Sequence, residues 1–95
     1  MQIVIDGQRT RTQPDFYRQC ASALGSRVAW RQDLDGLYEL LVAGLPEPTA
    51  LIWLSASASQ QAMGQAFVEL KEVLDSAIQV QRRFGWAGAF DYRLA

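Results

Sequence analysis

Two short apolar runs, separated by sequence that favours helices, constrain the fold of this chain more than any other feature. QIVID, residues 2–6, is rich in β-branched side chains and ends in the turn signal Asp6-Gly7. TALIWLS, residues 49–55, is a second apolar run of strand length. Strands that are joined through helices run parallel, with right-handed crossovers. The sequence therefore predicts an α/β fold with a parallel sheet.

The pattern within each strand predicts its place in the sheet. Ile3, Val4 and Ile5 are consecutive apolar residues, which predicts that helices cover both faces of the first strand. Apolar and polar side chains alternate over residues 90–94, which predicts a third, half-exposed strand at an edge of the sheet.

The first helix is predicted over residues 14–24. Pro14 is favoured in the first turn of a helix, and Gly25 is a typical residue to end one. Its inner face is formed by Phe16, Cys20, Ala23 and Leu24. Cys20 is therefore interpreted as a small hydrophobic residue of the core.

Further helices are predicted on both sides of the second strand. Residues 34–42 form a short amphipathic helix for which Asp33 is the N-cap. Residues 58–83 contain a longer helical segment, in which Gly64 is a candidate break between a short and a long helix. Together these elements predict a single domain, residues 1–95, in which about four helices cover a three-stranded parallel sheet.

The composition excludes several classes of function. The chain contains no histidine, which excludes histidine-dependent nucleophiles and histidine metal ligands. It also contains no glycine-rich phosphate loop. Its net charge of -1 provides no overall field for nucleic acid or a membrane surface. We therefore expect no catalysis, cofactor or metal, and neither nucleic acid nor a membrane as partner.

Cysteine content and the N-terminal segment favour a cytoplasmic location. Cys20 is the single cysteine, so no internal disulfide can form. The segment MQIVIDG lacks the basic region and the long apolar core of a signal peptide. Both features fit a reducing compartment.

Negative charge is concentrated around RQDLDGLYELL, residues 31–41. Residues 28–48 carry one basic and four acidic residues, which gives 1 − 4 = −3 within a chain of net charge -1. Asp35 and Glu39 lie four residues apart, where like charges on a helix repel each other by roughly 0.2–0.5 kcal/mol. A solvated helix surface explains such acids, and so does a carboxylate pair for acid/base chemistry or Mg²⁺.

Aromatic neighbours favour a third interpretation, a surface for a positively charged protein partner. Trp30 precedes the helix and Tyr38 lies on it, and aromatic residues are enriched at protein interfaces. Acids interleaved with aromatics are complementary to a basic partner. The predicted partner-binding residues are Trp30, Asp33, Leu34, Asp35, Tyr38, Glu39 and Val42.

The order of these motifs resembles the barstar-like family of ribonuclease inhibitors. A strand ending in IDG, a helix starting near PDFYRQ, the central LDGLYEL and a tryptophan in the second strand carry the resemblance over most of the chain. In that family the second helix and the loop before it block the ribonuclease active site with acids in place of RNA phosphates. The resemblance implies that Asp35 and Glu39 are the two helix acids and Tyr38 the interface aromatic. Leu34 and Trp30 then match neighbouring contacts.

Several positions depart from the family pattern. Arg31 and Asp33 stand where the family loop often carries a glycine and an asparagine, and Gly44 replaces an aromatic residue. Ser76 and Val80 fall near the positions of acids on the family's long helix. Because Arg31 would face a basic enzyme, it argues against barnase itself as the target.

The predicted function is that of an intracellular inhibitor, monomeric when free, which blocks a basic ribonuclease or a nuclease toxin. The alternative is an assembly module of the same fold that has lost nuclease inhibition. Such a module would associate through apolar surface around Trp86 or through the edge strand Phe90–Leu94.

Overall fold

The computed structural model describes residues 1–85 and 88–95, and these form three strands and four α-helices in the predicted order. The elements are β1 (Gln2–Asp6), α1 (Gln13–Leu24), α2 (Leu34–Glu39), β2 (Thr49–Leu54), α3 (Ala56–Met63), α4 (Gln65–Arg83) and β3 (Phe90–Leu94). A wider π-helical turn, Leu40–Gly44, continues α2 directly. The predicted α/β fold with a three-stranded parallel sheet and four helices is confirmed.

The sheet has the order β1-β2-β3, and both pairs of strands are parallel. The apolar second strand lies at the centre. In its register Ile52 stands between Val4 of β1 and Arg93 of β3. The third strand is an edge strand, as its alternating pattern predicted.

Helices cover the sheet on one face only, which makes one prediction wrong. Ile3 and Ile5 are fully buried, but Val4 between them is 49% exposed. The same alternation continues in β2, where Leu54 is 45% exposed and Ile52 is half-buried. A run of β-branched residues indicates a strand, but it does not show whether one face or both faces of that strand are covered.

Trp53 of the central strand holds the helical layer on the sheet. Its ring centroid lies 4.9 Å from that of Phe16 on α1 and 5.0 Å from that of Phe67 on α4. The indole Nε1–H donates to Ser59 Oγ on α3 at 3.0 Å, and this hydroxyl donates to the Gly7 carbonyl at 2.8 Å. Gly7 comes so close to the backbone after β2 that a Cβ there would overlap the Ser55 carbonyl oxygen.

The ends of α1 lie close to where the sequence predicted them, but one residue of the predicted inner face is not buried. Thr12 is the N-cap, and Gly25 ends the helix with a φ of 71°. Cys20 is buried in the core as predicted, and burial raises the pKa of its thiol to about 12. Ala23 was predicted on the buried face but is exposed, and Tyr17 is buried as well. A bulky ring reaches the core from the edge of the apolar stripe, and a methyl group does not.

The last helical segment is divided where the sequence predicted. Gly64 separates α3 from α4 with a φ of 57°. The buried stripe of α4 contains Phe67, Leu70, Leu74 and Ala77, and Ile78 is half-buried beside it. Along residues 1–85 and 88–95, no helix has both the length and the apolar character to cross a membrane.

Buried Gln81 connects α4 to two other elements. Its Oε1 accepts from the Phe90 amide at 2.9 Å, and its Nε2 donates to the Leu41 carbonyl at 3.3 Å. The Phe90 amide therefore has a partner at the outer edge of β3, where no further strand follows. The Tyr92 amide also has a side-chain partner, Asp91 Oδ1, at 2.9 Å.

We expect replacement of Gln81 by methionine to destabilise the protein by about 1–3 kcal/mol, because two buried backbone groups would lose their partners. The measurement is urea unfolding at constant m-value. The control is Gln79→Met on the same helix, where the side chain is exposed. Equal unfolding midpoints for the two variants would contradict this account of the buried amide.

Candidate functional site

The start of α2 is fixed by Asp33. One carboxylate oxygen accepts from the Gly36 amide at 2.6 Å, which makes Asp33 the predicted N-cap. The other oxygen pairs with Arg31 Nε at 2.6 Å. Both oxygens are thus engaged within this chain, and the charge of Arg31 is compensated beside it. Asp33 thus fixes the start of the helix that carries most of the predicted binding residues. Because both of its oxygens have partners in this chain, its carboxylate is less available to another protein than the sequence suggested.

Gly36 lets the loop before α2 lie directly on the first turn of the helix. The residue is buried, and a Cβ there would overlap the carbonyl oxygen of Arg31. Sequence reasoning missed this role, because a glycine inside a helical pattern carries no sign of what approaches it. Close approach of two backbone segments is the one feature that requires glycine here.

Asp35 and Glu39 lie one turn apart on α2, and both are exposed. Among residues 1–85 and 88–95, neither forms an ion pair. Their mutual repulsion of roughly 0.2–0.5 kcal/mol is therefore uncompensated in the free protein. This arrangement fits a surface whose countercharge comes from another molecule.

Apolar side chains of α2 and of the π-turn that continues it divide between the core and the surface. Leu37, Leu40 and Leu41 are buried and hold the helix against the rest of the protein. Leu34 and Tyr38 are half-buried, so part of each remains available for contact. Both residues lie next to Asp35 on the protein surface.

Trp30 and Val42 are both partly buried and pack against the core. The ring of Trp30 stands edge-on to Tyr17 of α1, with centroids 6.0 Å apart and an interplanar angle of 85°. Val42 lies in the π-turn, which replaces the last α-helical turn predicted for residues 34–42. A π-turn advances by less than 100° per residue, so Val42 leaves the line of Asp35 and Glu39 and packs partly on the core.

A shallow groove between α2 and α4 adds two acids that the sequence analysis did not assign to the site. The groove has a volume of about 330 Å³ and is lined by Leu34, Asp35, Tyr38, Glu69, Glu72, Val73 and Ser76. Glu69 and Glu72 lie three residues apart on α4. Their spacing could show that they share a face, but only the packing of α4 against α2 brings them beside Asp35.

Glu69 is oriented by a neighbour from α1. Gln13 Nε2 donates to Glu69 Oε1 at 3.0 Å and to the Ala66 carbonyl at 3.3 Å. The groove lining contains three carboxylates and no basic residue. Beyond Ser76 the surface changes sign, because Arg83 lines the adjoining recess with Tyr38. The acids of this surface therefore lie along α2 and the N-terminal half of α4, and Arg83 lies at the C-terminal end of α4.

Within the part of the chain that the structure describes, no three histidine, cysteine or acidic side chains lie close enough together to hold a metal ion. The acids of α2 and α4 are spread along an open groove. Such an arrangement leaves several separate carboxylates on the surface, whereas a cation site gathers its oxygen ligands around one ion.

A comparison with protein-family models identifies a family for this chain. Residues 1–87 match the family model described as "Barstar (barnase inhibitor)". The match includes β1, α1, α2, β2, α3 and α4. A search of curated proteins found no match.

We expect Gly36→Ala to destabilise the protein by about 1–3 kcal/mol, because the new methyl group forces the loop and α2 apart. Helix propensity alone predicts the opposite sign, a gain of about 1 kcal/mol. Urea unfolding measures the difference. Gly44→Ala is the control, since a Cβ there meets the Leu40 side chain at 3.3 Å and the Glu39 carbonyl oxygen at 3.7 Å, without overlap. A stabilised Gly36→Ala variant would show that the loop does not press on the helix.

Proposed function

Because this chain belongs to the barstar family, we propose that it binds a basic ribonuclease or nuclease toxin in the cytoplasm and blocks the active site of that enzyme. The acidic surface of α2 would enter the site in place of RNA phosphates. Inhibition is then steric and electrostatic, and it needs no cofactor or chemical step.

The observation that carries this proposal is the unpaired state of Asp35 and Glu39. Both carboxylates are exposed, and neither has an ion-pair partner in residues 1–85 and 88–95. Leu34 and Tyr38 provide partly exposed apolar surface next to these charges. A cluster of acids around apolar contacts complements an active site that binds a polyanion.

Glu69 and Glu72 of α4 strengthen the charge complementarity. They line the same groove as Asp35, so the negative surface extends beyond α2. These acids compensate for Ser76 and Val80, which stand near the positions of the family's long-helix acids. A surface of this kind raises the rate of association with a basic partner, an effect for which the barnase–barstar pair is itself the standard example.

Arg31 is less of an obstacle to a basic partner than its sequence position suggested. Its guanidinium is paired with Asp33, so the two side chains together carry no net charge. The partner would meet this pair and the free carboxylate of Asp35 next to it. Barnase therefore belongs among the candidate targets, together with other basic ribonucleases.

The assembly alternative draws less support from the described residues. Trp86 lies outside them. At the free edge of β3, the amides of Phe90 and Tyr92 already donate to Gln81 and Asp91. Fewer unbonded groups remain for pairing with a second strand, which is how natural sheets avoid association at their edges.

We expect Asp35→Lys to weaken binding of the target nuclease at least tenfold, which corresponds to about 1.4 kcal/mol. The control is Asp91→Lys, which makes the same change in net charge on the exposed side of the edge strand. The measurement is inhibition of RNA hydrolysis by a panel of purified basic ribonucleases, with barnase included. Equal inhibition by the two variants would reject α2 as the binding surface.

We also expect the free protein to be monomeric, because the amides of Phe90 and Tyr92 at the edge of β3 are engaged and the acids of α2 repel a second copy. Light scattering over a range of protein concentrations measures this. A stable dimer, together with failure to inhibit every nuclease in the panel, would favour the assembly function.

A further inference from the structure

The recess that adjoins the acidic groove has the opposite charge. It lies between α2 and the C-terminal half of α4, and its volume is about 330 Å³. It is lined by Tyr38, Ser76, Gln79, Val80 and Arg83. Four of these five side chains can donate a hydrogen bond, and none of them is acidic. We call this depression the Arg83 recess.

The guanidinium group of Arg83 has no countercharge in the free protein. Arg83 is exposed, and among residues 1–85 and 88–95 it forms no ion pair. A cation at the end of a helix interacts favourably with the helix dipole, but Arg82 occupies the same last turn. Arg82 lines a separate recess that also contains Asp91. The dipole therefore accounts for both arginines, and it does not account for the position of Arg83 in a recess without acids.

The Arg83 recess is continuous with the acidic groove, because Tyr38 and Ser76 line both. Glu72 and Arg83 are eleven residues apart on α4, which corresponds to about 16 Å along a helix. A stable protein interface buries about 800 Å² on each partner, so its patch is about 30 Å across. A partner seated on the groove therefore covers Arg83 as well.

Covering Arg83 has a cost that the partner must offset. A charged group that loses its hydration without gaining a countercharge lowers affinity strongly. Arginine is well suited to such a position only when it meets a planar anionic group that accepts from two of its N–H donors. The side chains of aspartate and glutamate are the groups of this kind that a protein partner carries.

We propose that the Arg83 recess receives the carboxylate of an aspartate or glutamate side chain from the protein partner. Two N–H groups of the guanidinium would donate to the two carboxylate oxygens. Ser76 and Gln79 carry further donors for the remaining lone pairs. This proposal rests on the proposed function, because it treats the recess as one end of the surface that binds the nuclease.

The binding surface is then bipolar, which makes Arg83 a determinant of specificity. Asp35, Glu69 and Glu72 lie at one end and attract any basic nuclease. A nuclease that is basic throughout would place a cation against Arg83, and this repulsion lowers its affinity. A nuclease with an acid beside its basic cleft would complement both ends. Arg83 therefore selects among partners that the acids alone do not distinguish.

The first experiment uses small probes, so it does not depend on the nuclease. N-acetyl-glutamate methylamide is titrated into ¹⁵N-labelled protein, and N-acetyl-glutamine methylamide, its neutral isostere, is the control. We expect saturable shifts of the amide signals of Tyr38 and residues 76–83 with the glutamate probe, and at least fivefold weaker binding of the glutamine probe. Equal binding of both probes, or no saturable shift, would overturn the proposal.

Two variants locate the probe on the protein. Arg83→Gln is expected to abolish the preference for glutamate. Arg82→Gln removes the same charge from the same turn and is expected to keep the preference. An equal loss in both variants would show that the probe responds to the general charge of the helix end, and this result would overturn the assignment to the recess.

The second experiment uses the nuclease that the wild-type protein inhibits most tightly. We expect Arg83→Glu to raise the inhibition constant at least tenfold, because a carboxylate would then face the partner's carboxylate. Arg82→Glu makes the same change in net charge one residue away, and we expect it to raise the constant less than threefold. Urea unfolding checks that both variants fold. Equal effects of the two variants, or tighter inhibition by Arg83→Glu, would overturn the role of Arg83.

The two proposals fail separately. A nuclease that is inhibited equally by the wild-type protein and by Arg83→Glu would reject the role of the recess and leave the inhibitor function standing. Glutamate-specific binding at the recess without inhibition of any nuclease would support the carboxylate site and reject a nuclease as its partner.

Discussion

The packing of one tryptophan ring at the centre of the sheet organises most of this protein. Trp53 is fully buried and contacts Phe16 and Phe67, so α1 and α4 are both positioned against the middle strand. Aromatic pairs of this kind contribute beyond their buried area. The indole N–H then reaches the end of β1 through Ser59. The second helix then packs against α4, so its position depends on this arrangement as well.

The acidic surface needs that support because α2 is too short to be stable by itself. A helix of six residues lies far below the length at which isolated helices form in water. Tertiary contacts supply the stability that helix propensity does not. They are the cap at Asp33, the backbone contact at Gly36 and the burial of Leu37. The carboxylates of α2 are therefore held in place before a partner arrives. Preorganisation of this kind reduces the entropy that is lost on binding.

The sequence predicted those features that depend on local chemistry. Strand composition, the N-cap at Asp33 and the break at Gly64 are all determined by residues within a few positions of each other, and all three are confirmed. The acids and aromatics of α2 could likewise be identified from spacing and from family resemblance. Their role in binding stays a prediction.

Features that depend on packing between distant segments could not be predicted. The exposure of Val4 follows from where the helices lie. An apolar strand can have the same sequence pattern whether helices cover one of its faces or both. Glu69 joins Asp35 only because α4 crosses α2. Among the described residues, the buried hydroxyl of Tyr17 has no hydrogen-bond partner, and no periodicity in the sequence predicts that.

The uncovered side of the sheet provides a convenient handle on the molecule. Val4, Ile52 and Leu54 lie on the face opposite the helical layer, and the acidic residues of α2 belong to that layer. A label, a linker or a sensor chip attached to these strands would leave the carboxylates pointing into solution. Geometry alone thus selects the side from which the protein can be immobilised while the proposed contact surface on α2 stays accessible.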